Sequence, residues 1–490
     1  MGGGARTHDV LVVGGGPGGS TLAWKLASDG VRVLLLERTK FPREKVCGDY
    51  VEPRGLRILR EMGCLEPIEQ RAPLPITHSA TFVDWEQCYA DRIPFYGLDE
   101  TLPPHGYIVP RDELDDTMLD AAARAGATVH EETLVTAVAA ASHGVAVEAR
   151  RGAKRVRYRA HLIAGADGAN SVVGTSAGVL VDDPRHTAVA QRAYATGVDG
   201  DLGEAVFFFD QELFPGYGWM FPLARGRVNV GVGILSETRR RLDLNVPALF
   251  VEFVGRLKRF HPRCARLELC SAPIGGIVRT YGGAGANCFD GGVLVGDAGS
   301  FVDPMTGEGI TPAAESALLA APVLEAALEA GRFDAAQLAA YERAFRDYFD
   351  PAMTFLDLCA SVLRNRHLAR PWLKALARGC ELAGADEAFA RTGGSYFGGL
   401  DVRPFGILAH LWARIGSDLA LAWPRLVFGR GRESRATSIA DLVEWQLAWS
   451  RSLVADPFWH ARWSMDVQRK AMRLMSTLER AAPDPRAAGV

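Results

Sequence analysis

A glycine-rich turn near the start of the chain has the residue types and spacing of a phosphate-binding site. The segment DVLVVGGGPGGSTLAWKL opens with an apolar run too short for a helix and ends in a helical pattern. Glycines let the backbone turn tightly and approach a pyrophosphate, whose charge lies at the positive end of the following helix. The segment is therefore predicted to form a strand, a turn and a helix around a dinucleotide. The predicted phosphate-binding residues are Gly14, Gly16, Pro17, Gly18 and Gly19.

A carboxylate follows this turn at the distance that a bound ribose requires. The segment VRVLLLE reads as a second strand and ends in Glu37. In dinucleotide-binding units an acidic residue about 20 positions after the glycines accepts hydrogen bonds from the ribose. Glu37 is therefore predicted to bind the ribose.

A second glycine-rich segment far downstream indicates which dinucleotide is bound. In GGVLVGDAGSFVDPMTGEGITPAAESA, residues 291–295 are predicted to form a strand, and Asp297 at its end can bind a ribityl hydroxyl. The helix that follows opens with glycines, which leave free backbone N–H groups for the electron-rich edge of a flavin. A domain that binds only NAD has no need of this second site, so the two segments together predict FAD. The flavin-binding residues predicted here are Gly296, Asp297, Gly307, Gly309 and Ile310.

The glycine segments resemble the flavoprotein monooxygenase fold, the group that includes para-hydroxybenzoate hydroxylase, the flavin-dependent halogenases and the geranylgeranyl reductases. Two further motifs of this group match VPRDELDDTML, which contains Arg111, and AGADGANS, which contains Asp167. The basic residue that usually follows the Asp-Gly pair is replaced by Val173. Arg111 and Asp167 are therefore assigned to the cofactor, together with Arg38 and Val135.

The same resemblance implies an α/β fold. It consists of an FAD-binding Rossmann-like domain of the glutathione reductase and para-hydroxybenzoate hydroxylase type, an inserted antiparallel β-sheet substrate domain, and a helical C-terminal region. The predicted boundaries are 1–75, 105–180 and 280–350 for the FAD-binding domain, 76–104 and 181–279 for the substrate domain, and 351–490 for the helical region.

A cysteine loop points to one branch of this group. The segment PREKVCGDYVEPRGLRIL, just after Glu37, resembles the Cys-Gly loop of geranylgeranyl reductases, in which a cysteine faces the flavin ring. Cys47 and Gly48 are the matching residues and are assigned to the cofactor site. A role for Cys47 in proton donation requires a perturbed pKa and partial exposure. The alternative is a passive buried cysteine, which is the usual state of a free thiol.

An aromatic segment points to the same branch. FPGYGWMFP resembles the Tyr-x-Trp-x-Phe-Pro motif of geranylgeranyl reductases, with Tyr217, Trp219 and Phe221 in the matching places. Because side chains alternate along a strand, these three aromatic side chains are expected on one face, where they build an apolar slot. The alternative is that they pack the core of the sheet. The slot, together with Pro304, is the predicted substrate site.

The resemblance implies an FAD-dependent oxidoreductase of the geranylgeranyl reductase family. Reduced FAD would deliver hydride to a carbon–carbon double bond of an apolar, isoprenoid-like small molecule or lipid, with Cys47, Tyr217 and Trp219 as catalytic residues and with Cys47 or a water supplying the proton. No second strand-GxGxxG-helix unit is present. The electron donor is therefore expected to be NAD(P)H that binds transiently or a reduced carrier protein, such as a flavin reductase or a ferredoxin.

Two other classes of function remain open from the sequence. The first keeps the fold and changes the reaction to that of an FAD-dependent monooxygenase or dehydrogenase in specialised metabolism. A halogenase is disfavoured, because tryptophan halogenases carry Trp-x-Trp-x-Ile-Pro where this chain has Tyr217 and Phe221. The second is a non-catalytic flavin protein that transfers electrons or docks to a partner through its helical region.

Composition limits the partners and the location that we expect. Of the 490 residues 48% are hydrophobic and 23% are charged, and a net charge of −3 gives no reason to bind nucleic acid. The 8 cysteines show no CxxC spacing, so neither a zinc site nor a disulfide framework is expected. The N-terminal segment leaves no room for a signal peptide, which predicts a cytoplasmic protein. The apolar segment LALAWPRLVF could at most contact a membrane surface.

Overall fold

The computed structural model describes residues 8–93, 102–141, 144–200, 203–385, 387, 390 and 432–481. The chain opens with β1 (His8–Val13), α1 (Pro17–Ser28) and β2 (Val33–Leu36), the predicted strand, turn, helix and second strand. The two strands pair in parallel, with Val10 opposite Val33.

Short elements and a long hairpin complete the first half of the chain. They are β3 (Tyr50–Val51), α2 (Pro53–Glu61), α3 (Leu65–Glu69), β4 (Pro75–Ile76), β5 (His78–Val83), β6 (Glu86–Arg92), β7 (Gly106–Ile108), α4 (Arg111–Arg124), β8 (Thr128–His130), β9 (Thr133–Ala141), β10 (Gly144–Arg151), β11 (Lys154–Gly165) and α5 (Val172–Ser176).

The second half contains the remaining strands and most of the long helices. They are β12 (Thr187–Thr196), β13 (Glu204–Phe209), β14 (Tyr217–Leu223), β15 (Arg227–Leu235), α6 (Ser236–Arg241), α7 (Val246–Phe260), β16 (Glu268–Leu269), β17 (Ile274–Arg279), β18 (Cys288–Phe289), β19 (Gly292–Leu294), α8 (Ile310–Ala330), α9 (Ala335–Leu363), α10 (Ala369–Ala385), α11 (Arg432–Ala455) and α12 (Pro457–Ala481).

The first sheet is built from three separated parts of the chain. Its strand order is β18-β19-β11-β1-β2-β8, and the β9–β10 hairpin extends from β11. Alternate residues of β1 face opposite sides of the sheet. Val10 and Val12 pack in one core with α1, α8 and α9, whereas Leu11 and Val13 pack in another with the β9–β11 strands. Both faces are therefore covered from Val10 onward, which is why the last four residues of β1 are all apolar.

The second sheet unites the two predicted insertions. Its strand order is β16-β12-β15-β14-β13-β5-β6, and β17 also pairs with β12. Most neighbours are antiparallel, as expected, but β5 and β13 pair in parallel, with Ala80 opposite Val206. These two strands come from different insertions, so no hairpin forces them to be antiparallel. Residues 94–97, which belong to the first predicted insertion (76–104), lie outside the described residues.

The sequence analysis did not identify α7, a helix that covers one face of the second sheet. Phe250, Phe253 and Leu257 lie on its buried side and pack in one core with the strands. Asn245 caps the helix by accepting a hydrogen bond from the N–H of Ala248, and a proline occupies the first turn. A smaller sheet has the strand order β3-β7-β4, and both of its pairings are antiparallel.

One helix continues across the predicted boundary at residue 350. Helix α9 begins in the FAD-binding domain and ends at Leu363 in the helical region. Helix α12 packs along it and is held by a hydrogen bond of 2.7 Å from the Trp463 indole N–H to the Ser361 carbonyl and by an ion pair of 2.6 Å between Lys470 and Asp357. The helical region is therefore attached to the FAD-binding domain through a shared helix.

Among the described residues no helix combines the length and the apolar character that crossing a bilayer requires. The segment LALAWPRLVF, at residues 419–428, lies outside the described residues.

Candidate functional site

A cavity of about 740 Å³ lies between the carboxyl ends of the parallel strands in the first sheet and one face of the second sheet. Nearly all of the residues predicted for the site line it. They are Gly14, Gly16, Pro17, Gly18, Glu37, Arg38, Cys47, Gly48, Arg111, Val135, Asp167, Tyr217, Trp219, Phe221, Gly296, Asp297, Pro304, Gly307, Gly309 and Ile310. Segments far apart in sequence therefore meet at one place, where a ligand can contact all of them.

One end of the cavity has the features of a phosphate site. Helix α1 begins there with Gly16 as its N-cap, and neither a capping side chain nor an acidic residue occupies its first turn. Its first N–H groups therefore remain available to an anion at the positive end of the helix. Gly19 does not line the cavity, because it packs against the turn: a Cβ there would lie 1.9 Å from the Gly14 carbonyl oxygen.

Glu37 lies buried at the end of β2 beside this turn. Its Oε2 accepts a hydrogen bond of 2.8 Å from the N–H of Gly15, and its Oε1 accepts one of 2.8 Å from the N–H of Thr39. These bonds hold the carboxylate at the wall of the cavity. Oε1 also accepts a hydrogen bond of 2.6 Å from the Thr39 hydroxyl, whereas Oε2 keeps a second lone pair, with which Glu37 can accept a hydrogen bond from a ribose hydroxyl.

Two cationic residues of the cavity were not predicted. The Arg43 guanidinium forms a 3.0 Å ion pair with Asp115, and the Lys45 ammonium lies 3.6 Å from the Asp297 carboxylate. Both side chains line the cavity. The signal was present in the sequence, since the segment between Glu37 and Cys47 is rich in basic residues. Arg43 lies near Gly16, where it can neutralise the charge of a phosphate.

Asp167 has a local structural task in addition to its place on the wall. Its Oδ2 accepts hydrogen bonds from the N–H groups of Val172 and Val173, at 2.6 and 3.2 Å, and its Oδ1 accepts one of 2.5 Å from the Ser171 hydroxyl. The carboxylate thus caps α5. Val173, at the position where the family resemblance implied a basic residue, is fully buried in an apolar core. A charged side chain pointing there would lose its hydration.

The other end of the cavity has the features of a flavin site. Helix α8 begins there with Gly309 as its N-cap, and in its first turn the N–H of Thr311 donates a hydrogen bond of 2.9 Å to the Glu308 carboxyl group. Gly307 has a φ of 71°, in the left-handed region that favours glycine. Asp297 lies beside this turn, because a Cβ on Gly309 would be 3.6 Å from its Oδ1. Val135, by contrast, lies on β9, which begins next to Glu37. The helix dipole at this point favours the electron-rich edge of an isoalloxazine ring.

Cys47 lies on the wall between these features and the second sheet. The Arg111 guanidinium lies close to its thiol and is itself fixed by two bonds of 2.8 Å to the buried carboxylate of Asp115. Burial raises the pKa of the Cys47 thiol, and the positive charge of Arg111 opposes that change only in part. Cys47 therefore carries its proton at neutral pH and is partly exposed to the cavity.

Three aromatic side chains of β14 share one face, as the alternation predicted. The ring centroids of Tyr217 and Trp219 are 6.0 Å apart, and those of Trp219 and Phe221 are 6.3 Å apart. Gly231 on β15 makes room for the indole, because a Cβ there would lie 2.1 Å from it. Phe207, which the sequence analysis missed, packs edge-on against Phe221 at 5.2 Å. Together these rings form an apolar wall of the cavity.

Tyr217 is not free to donate its phenolic proton to a ligand. Its hydroxyl donates a hydrogen bond to the carbonyl of Thr306, in the loop that leads to Gly307. Burial raises the pKa of the Tyr217 phenol, so it stays protonated. The side chain therefore joins the second sheet to the loop before α8.

A buried carboxyl group behind Cys47 was also missed. Asp49 has no exposed surface, and its Oδ2 accepts hydrogen bonds of 2.8 Å from Tyr194 and from Asn229. Burial raises the pKa of Asp49 to about 7, although the Arg192 guanidinium and the two hydrogen bonds oppose the shift. No local sequence pattern marks this group, because its partners are 145 and 180 positions away.

A second buried polar cluster lies next to the start of α8. The Arg54 guanidinium binds Glu52 at 2.6 Å and Glu315 at 2.9 Å, and the Tyr348 hydroxyl donates a bond of 2.8 Å to Glu315. Burial raises the pKa of Glu52 to about 7, despite the opposing effect of Arg54. The cluster therefore holds α2, α8 and α9 together through partly protonated acids.

These features fit FAD. Glycines at both ends of the cavity let the backbone come close to a ligand. They also let α1 approach α8, since a Cβ at Gly18 would lie 3.1 Å from the Ala313 carbonyl oxygen. The start of α1 has no capping side chain, which suits a pyrophosphate, and the positive end of the α8 dipole suits a flavin edge. When bound, FAD supplies hydride chemistry, and the protein supplies orientation and electrostatics.

Comparison with protein families and with known proteins agrees with this geometry. Residues 7–198 match the family described as FAD binding domain. The menaquinone reductase of Mycobacterium tuberculosis (strain ATCC 25618 / H37Rv) is 32% identical over 332 residues, which cover 65% of this chain and 76% of that protein. Digeranylgeranylglycerophospholipid reductase 2 of Methanopyrus kandleri is 31% identical over 359 residues, which cover 70% of this chain and 83% of that protein.

A solved structure extends the similarity to three dimensions. The geranylgeranyl bacteriochlorophyll reductase-like protein from Thermoplasma acidophilum matches with a TM-score of 0.65 and 26% sequence identity. The match covers 77% of this chain and 92% of the Thermoplasma chain.

Proposed function

This chain belongs to the geranylgeranyl reductase family of FAD-dependent oxidoreductases, and we propose that it reduces carbon–carbon double bonds of an apolar, isoprenoid-like substrate. Reduced FAD would supply the hydride. The observation that carries the proposal is the position of Cys47, a protonated thiol on the wall of the cavity beside the aromatic face of β14. A thiol in that place can give the second alkene carbon its proton.

The walls on the second-sheet side favour an apolar ligand. Beyond the three rings of β14, the cavity is lined there mainly by aliphatic residues of β12, β15, β17 and α9. Examples are Val189, Ile234, Ile277, Val278 and Leu363. The cationic residues of the cavity, by contrast, lie with the glycine turns. A hydrocarbon chain therefore has an apolar arm of the cavity to enter, and burial of its surface contributes the affinity.

The proton in this proposal comes from Cys47. Reduction of one double bond adds a hydride to one carbon and a proton to its neighbour, and the thiol provides the proton. The thiolate that remains lies beside the Arg111 guanidinium, which stabilises the negative charge until solvent returns a proton. Asp115 keeps Arg111 in place through its two hydrogen bonds.

The aromatic residues have a binding role in this proposal. Trp219 and Phe221 are almost completely buried, and their rings form a flat apolar surface. Tyr217 holds the edge of that surface against the loop before α8, because its hydroxyl is bound to Thr306. The three side chains therefore orient the double bond and exclude water, and Pro304 closes the wall beside them. Electrons would reach the cofactor from NAD(P)H or from a reduced carrier protein.

Substitution of Cys47 tests the proposal. Because a general acid contributes a rate factor of roughly 10²–10⁴, Cys47→Ala is expected to lower the rate of double-bond reduction by at least about 10²-fold. The FAD content, read from the flavin absorbance, should stay unchanged. The assay follows a geranylgeranyl lipid by mass spectrometry as it gains pairs of hydrogens.

A matched substitution separates chemistry from folding. Cys270 is exposed and lies outside the cavity wall, so Cys270→Ala should leave turnover unchanged. If Cys47→Ala reduces the lipid as fast as the unsubstituted protein, Cys47 has no part in proton transfer and the proposed mechanism is wrong.

A further inference from the structure

We propose that Asn229 is a positioning residue, which holds the Cys47–Gly48 backbone against the aromatic wall and thereby sets where the thiol meets the substrate. The proposal rests on the proposed function for its catalytic consequence, but its structural claim concerns this chain alone. Asn229 lies on β15 and has no exposed surface. It does not line the cavity, so it acts through other residues.

The amide of Asn229 joins three parts of the site. Its Oδ1 accepts a hydrogen bond of 2.9 Å from the indole N–H of Trp219. Its Nδ2 donates one bond of 2.8 Å to the carbonyl of Cys47 and another of 2.8 Å to the Oδ2 of Asp49. An asparagine amide has two N–H donors, and both are used here. One side chain therefore fixes the cysteine loop and the aromatic strand relative to each other.

The cysteine loop also depends on other contacts that leave it little room to move. The backbone of Asp49 has a φ of 65°, and its carbonyl accepts a hydrogen bond of 2.8 Å from the N–H of Val109. Gly48 lies so close to the aromatic wall that a Cβ there would be 2.9 Å from the Phe221 ring. The loop is thus packed directly on the ring that the substrate is proposed to contact.

Asn229 also belongs to a row that crosses three strands. Tyr194 of β12, Asn229 of β15 and Phe221 of β14 are direct neighbours in the register of the sheet. The Tyr194 hydroxyl donates to the same Asp49 oxygen that Asn229 binds, and the Arg192 guanidinium stacks 4.2 Å from the Tyr194 ring centroid. The loop is therefore anchored to the centre of the second sheet, away from the FAD-binding turns.

The electrostatics of this position require an amide. An aspartate at 229 would place acceptors against the Cys47 carbonyl and the Asp49 carboxyl group, which are acceptors themselves. A leucine of similar size would leave the Cys47 carbonyl buried without its donor. Either change should shift the loop and with it the thiol. Displacement of a catalytic group by about 1 Å can lower a rate by roughly 10²-fold.

The test measures the Cys47 thiol directly in the FAD-loaded protein. Iodoacetamide alkylation at Cys47, followed by peptide mass mapping across a pH series, reports the reactivity and the titration of the thiol without any turnover. We expect Asn229→Asp to change the alkylation rate at Cys47 by about 10-fold, the effect of one hydrogen bond. We also expect kcat for the lipid to fall by about 10- to 100-fold, with KM changed by less than about 3-fold.

Asn365→Asp is the matched control. Asn365 is equally buried, and its amide donates a hydrogen bond of 2.9 Å to Ser452 in the helical region. It does not line the cavity. If both variants lose stability but only Asn229→Asp changes the Cys47 alkylation profile, then Asn229 determines the position of the Cys47 thiol, and loss of stability alone does not explain the change. An unchanged alkylation profile and an unchanged kcat in Asn229→Asp would overturn the proposal.

A double substitution keeps the proposal testable if Asn229→Asp folds poorly. In Asp49→Asn with Asn229→Asp the donor and the acceptor exchange places, so the 49–229 hydrogen bond can form again with opposite polarity. We expect the double variant to recover stability and part of the Cys47 alkylation profile, since the effects of substituting two residues in contact do not simply add. Absence of any recovery would contradict the proposed contact.

The two proposals can fail separately. If the unsubstituted protein does not reduce the lipid while Asn229→Asp still alters Cys47 alkylation, the proposed function is wrong and the positioning role stands. If the lipid is reduced and Asn229→Asp leaves both Cys47 alkylation and kcat unchanged, the positioning role is wrong and the function stands.

Discussion

At residue 49, burial and hydrogen bonding act on one carboxyl group in opposite directions, and burial prevails. The pKa of Asp49 rises from 3.8 to about 7. Between these two values the folded protein binds more protons than the unfolded chain. The free energy of unfolding must therefore fall as the pH rises through this window. The other acid with a pKa raised to about 7, Glu52, acts in the same direction.

Replacement of this carboxyl group tests the pH dependence. Asp49→Asn keeps an oxygen that can accept from Tyr194 and Asn229 and removes the titration. The loss of unfolding free energy between about pH 5 and pH 8 should become smaller by roughly 2–4 kcal/mol, since one pKa unit corresponds to about 1.4 kcal/mol. Urea unfolding of the FAD-loaded protein, followed by tryptophan fluorescence, measures this slope.

The exposed Asp347 on α9 provides the control. Asp347→Asn should leave the slope as it is in the unsubstituted protein. A slope in Asp49→Asn that equals the unsubstituted one would show that Asp49 is ionised in the folded protein throughout this pH range.

The residues that could be predicted from the sequence are those with local motifs. Cys47 and Trp219 lie in short segments that resemble a family pattern, and both line the cavity. Asn229 has no such motif, since its partners Cys47 and Asp49 are 182 and 180 positions away. Only the packing of the loop that holds Cys47 and Asp49 onto the second sheet brings them together. Hydrogen bonds of this kind depend on the register of the sheet, which the sequence does not display.

At the scale of elements, the turn between β1 and α1 is confined to glycine by two separate constraints. Gly14 has a φ of 101°, and a Cβ there would lie 2.4 Å from the carbonyl oxygen of Ala166. The positive φ strains any residue other than glycine, and a Cβ would force the turn that is proposed to bind the phosphate away from the end of β11. The turn is therefore predicted to tolerate no side chain.

Two glycines with similar backbone angles separate these effects. Gly126 has a φ of 110°, but no atom lies within 4 Å of the position of its Cβ. Gly14→Ala and Gly126→Ala should each lose about 1–2 kcal/mol of unfolding free energy from backbone strain. Only Gly14→Ala should also lose FAD, which the flavin absorbance of the purified protein reports. Normal FAD content in Gly14→Ala would show that this turn does not hold the cofactor.

Helix α7 was not predicted, although its sequence carries local helix signals. Its N-cap Asn245, its proline in the first turn and its apolar residues at helical spacing are all local signals. The surrounding strands led to a prediction of antiparallel sheet for the whole insertion, and the helix was missed. The parallel pairing of β5 with β13 has a different cause, because it joins segments more than 100 positions apart, and no local signal exists.

At the scale of the whole molecule, the helical region closes the apolar arm of the cavity. Ala360 and Leu363, in the last turn of α9, contribute to the cavity wall. Helix α12 holds that turn through ion pairs of Arg364 with Asp466 and of Lys470 with Asp357. The site is therefore assembled from the FAD-binding domain, the second sheet and the helical region together. Its apolar arm is bounded by all three.

The central claim is that the reduced protein passes its electrons to an isoprenoid double bond. The most direct measurement is anaerobic reduction of the FAD-loaded protein, followed by rapid mixing with a geranylgeranyl lipid in one syringe and with oxygen in another, while the flavin spectrum is recorded. We predict rapid reoxidation by the lipid and slow reoxidation by oxygen in a single phase. A lipid that leaves the flavin reduced, with fast reaction with oxygen through a transient absorbing species, would contradict the account and indicate an oxygenase.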